Sequence, residues 1–182
     1  MRCDDGSVMV HWWHVVNGIT DAHSYVCPEE ETAAPPQITN AMVARAFKRI
    51  PLPASTLVVQ PPGGETLVNF ATNFYTEAAP FERSVTLVGQ RVDLRIRPSG
   101  FGWSFGDGTA TRTTTPGAAY PALDVTHEYA RAGRVGPSVD TTYSADFRVN
   151  GGPWEPVVGT VTMTGAPVAL QVRTASPTLV GY

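Results

Sequence analysis

Thr142-Tyr143-Ser144-Ala145-Asp146-Phe147-Arg148-Val149, followed at once by Asn150-Gly151, decides the class of fold. Tyr143, Ala145, Phe147 and Val149 alternate with Thr142, Ser144, Asp146 and Arg148, a period of two that gives a strand one apolar and one polar face. Asn-Gly is the dipeptide best suited to the positive φ values of a two-residue hairpin turn. The segment therefore reads as a strand that reverses at Asn150-Gly151 and returns from Trp154 to Met163.

The same period extends outward. Val92, Leu94 and Ile96 alternate with Arg91, Asp93, Arg95 and Arg97, which predicts an apolar face turned inward and a charged face in solvent, with Pro98 ending the strand. Leu57 to Gln60, Thr66 to Tyr75 and Arg83 to Val88 are rich in β-branched and aromatic residues, and Pro61-Pro62-Gly63-Gly64 and Ala78-Ala79-Pro80 separate them as turns. Val168, Leu170 and Val172 make a last alternating strand, and Ser176 to Tyr182 is a patternless tail. Seven or more short strands with regular turns argue for an all-β sandwich or barrel.

Composition agrees. The 182 residues hold one domain with an appendage, and 16 prolines and 17 glycines favour short strands over long helices. Only 16% of residues are charged, against roughly 25% in ordinary domains. The net charge of -3 and the scattered arginines leave no basic stripe for a phosphate backbone, so nucleic acid is not an expected partner. No apolar run is long enough for a membrane-spanning helix, and Met1 opens no export signal.

The N-terminal part reads differently. Val8, Val10 and Trp12 alternate with Met9, His11 and Trp13, and Asn17-Gly18 is a turn signal, so residues 1 to 27 form a small strand-containing element. Cys3 and Cys27 either join in a bridge that staples this element or are two separate buried thiols; the bridge is the expectation, at about 3 kcal/mol in the chain-entropy account. Pro28 to Gln37, with three glutamates and then Ala-Ala-Pro-Pro, reads as a linker or a mobile arm. Thr39 or Asn40 caps a short helix through Ile50, with Val43, Phe47 and Ile50 on one face and Arg45, Lys48 and Arg49 near its C-terminus. The predicted organisation is an arm and linker over 1–37, helix and connector over 38–55, a sandwich over 56–175, and a tail over 176–182.

Trp103-Ser104-Phe105-Gly106-Asp107-Gly108, then His127-Glu128-Tyr129 and Gly133, resembles the signature of the PKD domain family, in which a W-x-F-G-D-G element precedes an H-x-Y element. Beside the resemblance stands a physical reading. Gly106-Asp107-Gly108 supplies positive φ for a tight turn, Asp107 hydrogen-bonds nearby amides, and Trp103 with Phe105, like His127 with Tyr129, share a face. The resemblance implies an immunoglobulin-like sandwich in an elaborated bacterial secreted or surface relative, with Tyr129 tying a crossover to the edge. It also implies the roles found in that family: spacers, adhesion modules, and accessories of secreted hydrolases. This chain departs from the pattern in Thr109 to Asp124, a long threonine- and proline-rich connection expected to protrude. It departs again in Val135-Gly136-Pro137-Ser138, where a bulge or edge replaces a continuous strand.

Chemistry-bearing residues are few. His11, His14, His23 and Cys27 are zinc-ligand types, but on a strand His11 and His14 project to opposite faces, and no metal site is predicted. Asp107 and His127 lack a nucleophile in a recognisable elbow, so no catalytic residue is assigned. Asp107 alone offers one acid where calcium needs six to eight oxygens. No cofactor is expected. Trp12, Trp13, Tyr120 and Trp154 are candidate contact residues, since aromatic side chains are enriched at interfaces. The expected function is a non-catalytic module, secreted or at the cell surface, meeting a protein or glycan. The alternatives are an accessory domain of a secreted hydrolase, or a subunit of a surface appendage or virion.

Overall fold

The computed structural model describes residues 2–4, 8–16, 19–27 and 36–175, and divides the chain into two compact units that separate after Gln37. In the first, β1 (Val10–Val16) and β2 (Ile19–Val26) form an antiparallel hairpin with an irregular register between His14 and Val15. Asn17-Gly18, and the side chains of Trp12, His14 and His23, lie outside the described residues, as do residues 28–35 of the linker and the tail from Ser176. Two strands alone bury too little apolar surface to be stable. The Cys3–Cys27 disulfide, with Cα atoms 5.8 Å apart, closes this unit.

Among its described residues, the second unit builds its regular structure from strands and one helix. Thr39 caps its one helix, α1 (Asn40–Phe47): its carbonyl accepts from the Met42 and Val43 amides, and its hydroxyl receives the Met42 amide at 3.4 Å. The helix buries Val43 and Phe47, each contributing about 2 kcal/mol, without which eight residues would not stay helical. After it come β3 (Leu57–Gln60), β4 (Glu65–Leu67), β5 (Ala71–Thr76), β6 (Phe81–Leu87), β7 (Gln90–Ser104), β8 (Ala110–Thr113) and β9 (Thr126–Glu128). Then follow β10 (Gly133–Val135), β11 (Ser138–Val149), β12 (Glu155–Pro156), β13 (Val161–Met163) and β14 (Leu170–Arg173).

The long antiparallel pair β7–β11 is the axis of the unit. Its outer half, from Val92 to Ile96 and from Tyr143 to Val149, is flanked by β6 and β12. Its inner half, Phe101 to Ser104 against Ser138 to Thr142, is flanked by β8 and β13. Two smaller sheets, β3-β5-β9 and β10-β14-β4, complete the second unit, and β4 runs parallel to β14.

Two cores share this axis. Val43, Phe47 and Leu52 pack with Val92, Leu94, Ile96, Tyr143, Ala145 and Phe147. Further along, Phe101, Trp103, Phe105 and Val139 pack with Leu57 and Phe74 from one small sheet and Leu170 and Val172 from the other, with Val125 and Tyr129. Between the cores, the Thr141 hydroxyl donates to Ser55 at 2.6 Å and the Tyr143 hydroxyl to the Pro53 carbonyl at 2.9 Å, so the connector from the helix is tied down there.

Several expectations are corrected. Pro98 does not end its strand. Thr142 pairs with Gly100 and Tyr143 with Pro98, leaving Ser99 as an extra residue in β7. Along β11, Val139, Thr141, Tyr143, Ala145 and Phe147 are all buried in one unbroken parity, whereas β7 changes from Val92, Leu94 and Ile96 to Phe101 and Trp103. A bulge is what keeps the apolar side inward across that change, and it places proline beside the irregularity where its missing N–H costs least.

Asp93 is buried on the charged face, not solvated: Arg91 and Arg148 pair with it at 2.7 and 3.1 Å. The hydrogen bond from Ser84, then that from Arg91, holds its carboxyl at about 2. Thr66 to Tyr75 is two strands split by Asn69 at φ 54. Asn150-Gly151 makes the expected reversal, but the return from Trp154 is two short pieces, β12 and β13. At Gly136-Pro137 the chain leaves β10, an edge strand of one sheet, and enters β11 in another, so a change of sheet stands where a bulge was one expectation.

Deleting Ser99 throws Phe101, Trp103 and Phe105 onto the wrong face and abolishes cooperative urea unfolding, whereas Ser99→Ala shifts stability by less than about 1 kcal/mol. Chemical denaturation followed by tryptophan fluorescence checks both; a deletion variant that unfolds like the parent contradicts this register.

Candidate functional site

The motif residues and Tyr120, singled out in the sequence, lie in two places. The first is the corner after β7. Gly106 has φ +79, and a Cβ there would sit 2.5 Å from the Gly136 amide nitrogen, so only glycine permits both the turn and the close approach of the next segment. The Phe105 amide donates to the Thr109 carbonyl at 3.1 Å, closing the turn. Asp107 sits across it: one carboxylate oxygen accepts the Thr109 amide at 3.0 Å and hydroxyl at 2.5 Å, and the other meets His127 Nε2 at 2.7 Å. His127 stacks on Phe105 with ring centres 4.2 Å apart, and its edge meets Tyr129. The buried Tyr129 hydroxyl donates to the Phe105 carbonyl at 2.9 Å, and Trp103, 1% exposed, donates its indole N–H to Thr113 at 2.9 Å.

Burial acts to raise the Asp107 carboxyl, but the hydrogen bonds from Thr109 and His127 outweigh it and bring the group down to about 2. Burial, and then the charge of Asp107, raise Tyr129. Chemically the cluster is closed on itself. Thr109 and Asp107 both address the same imidazole nitrogen, at 3.4 and 2.7 Å, whereas a nucleophile relay uses opposite nitrogens of the ring. Both oxygens of Asp107 are engaged, and no group of three metal-binding side chains gathers among the described residues. This corner locks the end of β7 to the strand carrying His127.

The second place is the Thr109–Asp124 connection, expected to protrude. Its first part is β8, paired with β7, and from Pro116 to Ala118 it lies against the β3-β5-β9 sheet. The Pro116 carbonyl accepts the Thr76 amide at 2.9 Å, and the Ala118 carbonyl accepts Asn73 Nδ2 at 2.9 Å. Gly117, at φ +69, passes so near β5 that a Cβ would lie 2.6 Å from the Phe74 carbonyl oxygen. The backbone packs against the sheet because three of its polar groups, the Pro116 and Ala118 carbonyls and the Tyr120 amide, find partners there, satisfying atoms that a protruding loop would leave to water.

Beyond Ala118 the connection is exposed through Asp124, and Tyr120 stands out at 74%. Beside it is a pocket of about 380 Å³ between the loop and the turns that flank β3 and β5, lined by Gln60, Pro61, Pro62, Phe70, Tyr120 and Leu123, with Ala71 and Asn73. Gln60 is its keystone: Oε1 accepts Asn73 Nδ2 and the Tyr120 amide, both at 2.9 Å. The wall carries no charge. It is held by hydrogen bonds from three segments, so its shape exists before any ligand arrives.

The other aromatic candidates are separate from it. Trp154 is clamped on the outer face of β7–β11 by Arg95 and Arg148, whose guanidinium carbons lie 4.0 and 4.7 Å from its ring centre. Trp13 is 59% exposed on the hairpin, its ring 4.3 Å from that of His11. The sequence pointed to Tyr120 and missed Gln60, Phe70 and Leu123. One signal was available: Asn73 lies inside the strand-like run Ala71-Thr72-Asn73-Phe74-Tyr75, and a buried asparagine needs partners from another segment.

A carboxyl depressed on folding stabilises above its unfolded value, and that stability is lost as pH falls through the folded one. The Asp107 contribution is therefore present above about pH 4 and fades toward pH 2. Partial exposure limits it to about 1 kcal/mol. Asp107→Asn is expected to remove that part of the acid dependence in urea unfolding measured from pH 5 to pH 2; an identical pH profile in the variant contradicts the assignment.

No family model, no curated protein and no solved structure matches the chain.

Proposed function

We propose that this chain is a non-catalytic binding module of an extracellular or cell-surface protein, an elaborated immunoglobulin-like sandwich of the PKD kind. The observation that carries the reading is the preformed, uncharged pocket beside Tyr120, which presents an exposed aromatic ring from a loop fixed to a strand framework. Rings held in this way supply contact area at small entropic cost on binding.

The motif residues support the PKD comparison through their geometry: Trp103 and Phe105 are in the core, Asp107 caps its own turn, and Tyr129 ties back to the chain at Phe105. The Cys3–Cys27 disulfide supports an oxidising location. No helix among the described residues is long and apolar enough to cross a membrane. The closed geometry of Asp107, Thr109 and His127 supports the non-catalytic part. A second reading, a subunit of a surface assembly, draws on the hairpin unit, whose Val8, Trp13, Val15 and Ile19 are exposed.

The test is retention of the labelled, oxidised chain on the surface of the cells that encode it. Tyr120→Ala is expected to lower retention at least fivefold, a loss of about 1 kcal/mol, with an unchanged thermal unfolding midpoint. Equal retention by parent and variant overturns the role of the pocket. Turnover of a surface substrate that disappears when a single polar residue is replaced overturns the non-catalytic reading.

A further inference from the structure

The Tyr120 pocket does not stand alone. A second hollow of about 160 Å³, lined by Pro61, Glu65, Thr66, Leu67, Phe70 and Arg173, shares Pro61 and Phe70 with it. The two hollows flank one ridge and form a groove. Its charge is balanced: the first wall has no charged side chain, and in the second Glu65 and Arg173 pair with each other at 2.5 Å. Neither wall offers a charged ligand an uncompensated charge.

The hydrogen-bonding inventory narrows the ligand. Because Gln60 Oε1 accepts two N–H groups, the orientation of this amide is fixed, and Nε2 faces outward from that pair of bonds as a donor with no acceptor among the described residues. The exposed Tyr120 hydroxyl is a second donor. The carbonyl oxygen of Asn73 makes no hydrogen bond, but it is buried out of contact with solvent and the residue is 1% exposed. The side chains of the first wall thus offer rings, prolines, the Gln60 donor and the Tyr120 hydroxyl, which both donates and accepts. A saccharide would set most of its hydroxyls against prolines and apolar carbon, where they lose hydration for few partners. A prolyl segment brings apolar rings and carbonyl acceptors, and its proline nitrogens carry no hydrogen.

We infer that this groove binds an uncharged proline-rich segment of a partner protein in the polyproline II conformation. The inference rests on the binding-module reading above and names its ligand. Polyproline II repeats every three residues, about 9 Å, so prolines one turn apart enter the two hollows on either side of the Pro61–Phe70 ridge. Ligand and groove are both ordered before they meet, which keeps the entropic cost of association low.

The experiment uses the full oxidised chain and the peptide acetyl-(Ala-Pro-Pro)3-amide, with binding read by amide chemical shifts. Saturable shifts at Gln60, Phe70 and Tyr120 are expected. Tyr120→Ala weakens binding at least about fivefold. Gln60→Glu keeps the oxygen that accepts from Asn73 and Tyr120 and removes the donor, and it weakens binding similarly; Phe70→Ala is the companion variant should Gln60→Glu lower the unfolding midpoint. No saturation at millimolar peptide, or binding indifferent to these variants, overturns the inference. Shifts at Tyr120 with neutral cello- or chito-oligosaccharides in place of the peptide also overturn it, assigning the groove to glycans and leaving the binding-module reading intact. Absence of both, together with surface retention that ignores Tyr120, removes that reading as well.

Discussion

The antiparallel ladder between β7 and β11, with its single extra residue at Ser99, is the constraint on which the rest of the second unit depends. A strand has only two faces, and a one-residue slip exchanges them. The sequence of β11 keeps one parity through Phe147, while that of β7 changes parity between Ile96 and Phe101, so the two agree only if β7 accommodates one residue more. That accommodation lets one ribbon serve two cores. The helix covers one half, the small sheets cover the other, and the connector through Pro53 and Ser55 is pinned between them.

From the end of that ribbon the binding region follows by a chain of close contacts. β7 stops at the Gly106 turn, where Asp107, His127 and the Tyr129 hydroxyl fasten it to the segment that becomes β9. The intervening connection is then drawn across β5, with Gly117 against the Phe74 carbonyl and Asn73 holding Ala118. Gln60, the last residue of β3, holds this loop at the Tyr120 amide. The conspicuous motif residues therefore serve the site at a distance. They hold the loop's two ends, and the exposed chemistry lies at its middle.

Much of the strand content was legible because alternation is a local signal. Tyr143 to Val149, Val92 to Ile96 and the Asn150-Gly151 turn needed only their own residues to be read. Thr39 and the Val43–Phe47 spacing marked the helix in the same way. What failed was long-range. Pro98 looks like a terminator unless its partner strand is known to tolerate a bulge opposite Thr142. Thr109 to Asp124 looks like a protruding loop because nothing in its composition records that Asn73 and Thr76, far upstream, will hydrogen-bond it. Asp93 looks solvated until Ser84, Arg91 and Arg148 are placed around it. The pocket was half legible: Tyr120 stood out as an aromatic residue in a polar connection, but its partners Gln60, Phe70 and Leu123 come from separate segments that only the fold brings together.

The most direct measurement on the ribbon that supports all of this is native-state hydrogen exchange of the paired amides of β7 and β11. The account predicts that amides on both sides of Ser99 exchange only through a common global opening, with the same free energy and the same denaturant dependence, because one ladder spans both cores. If the Phe101–Ser104 half opens at markedly lower free energy than the Val92–Ile96 half, the two cores are independent and the continuous ribbon is contradicted.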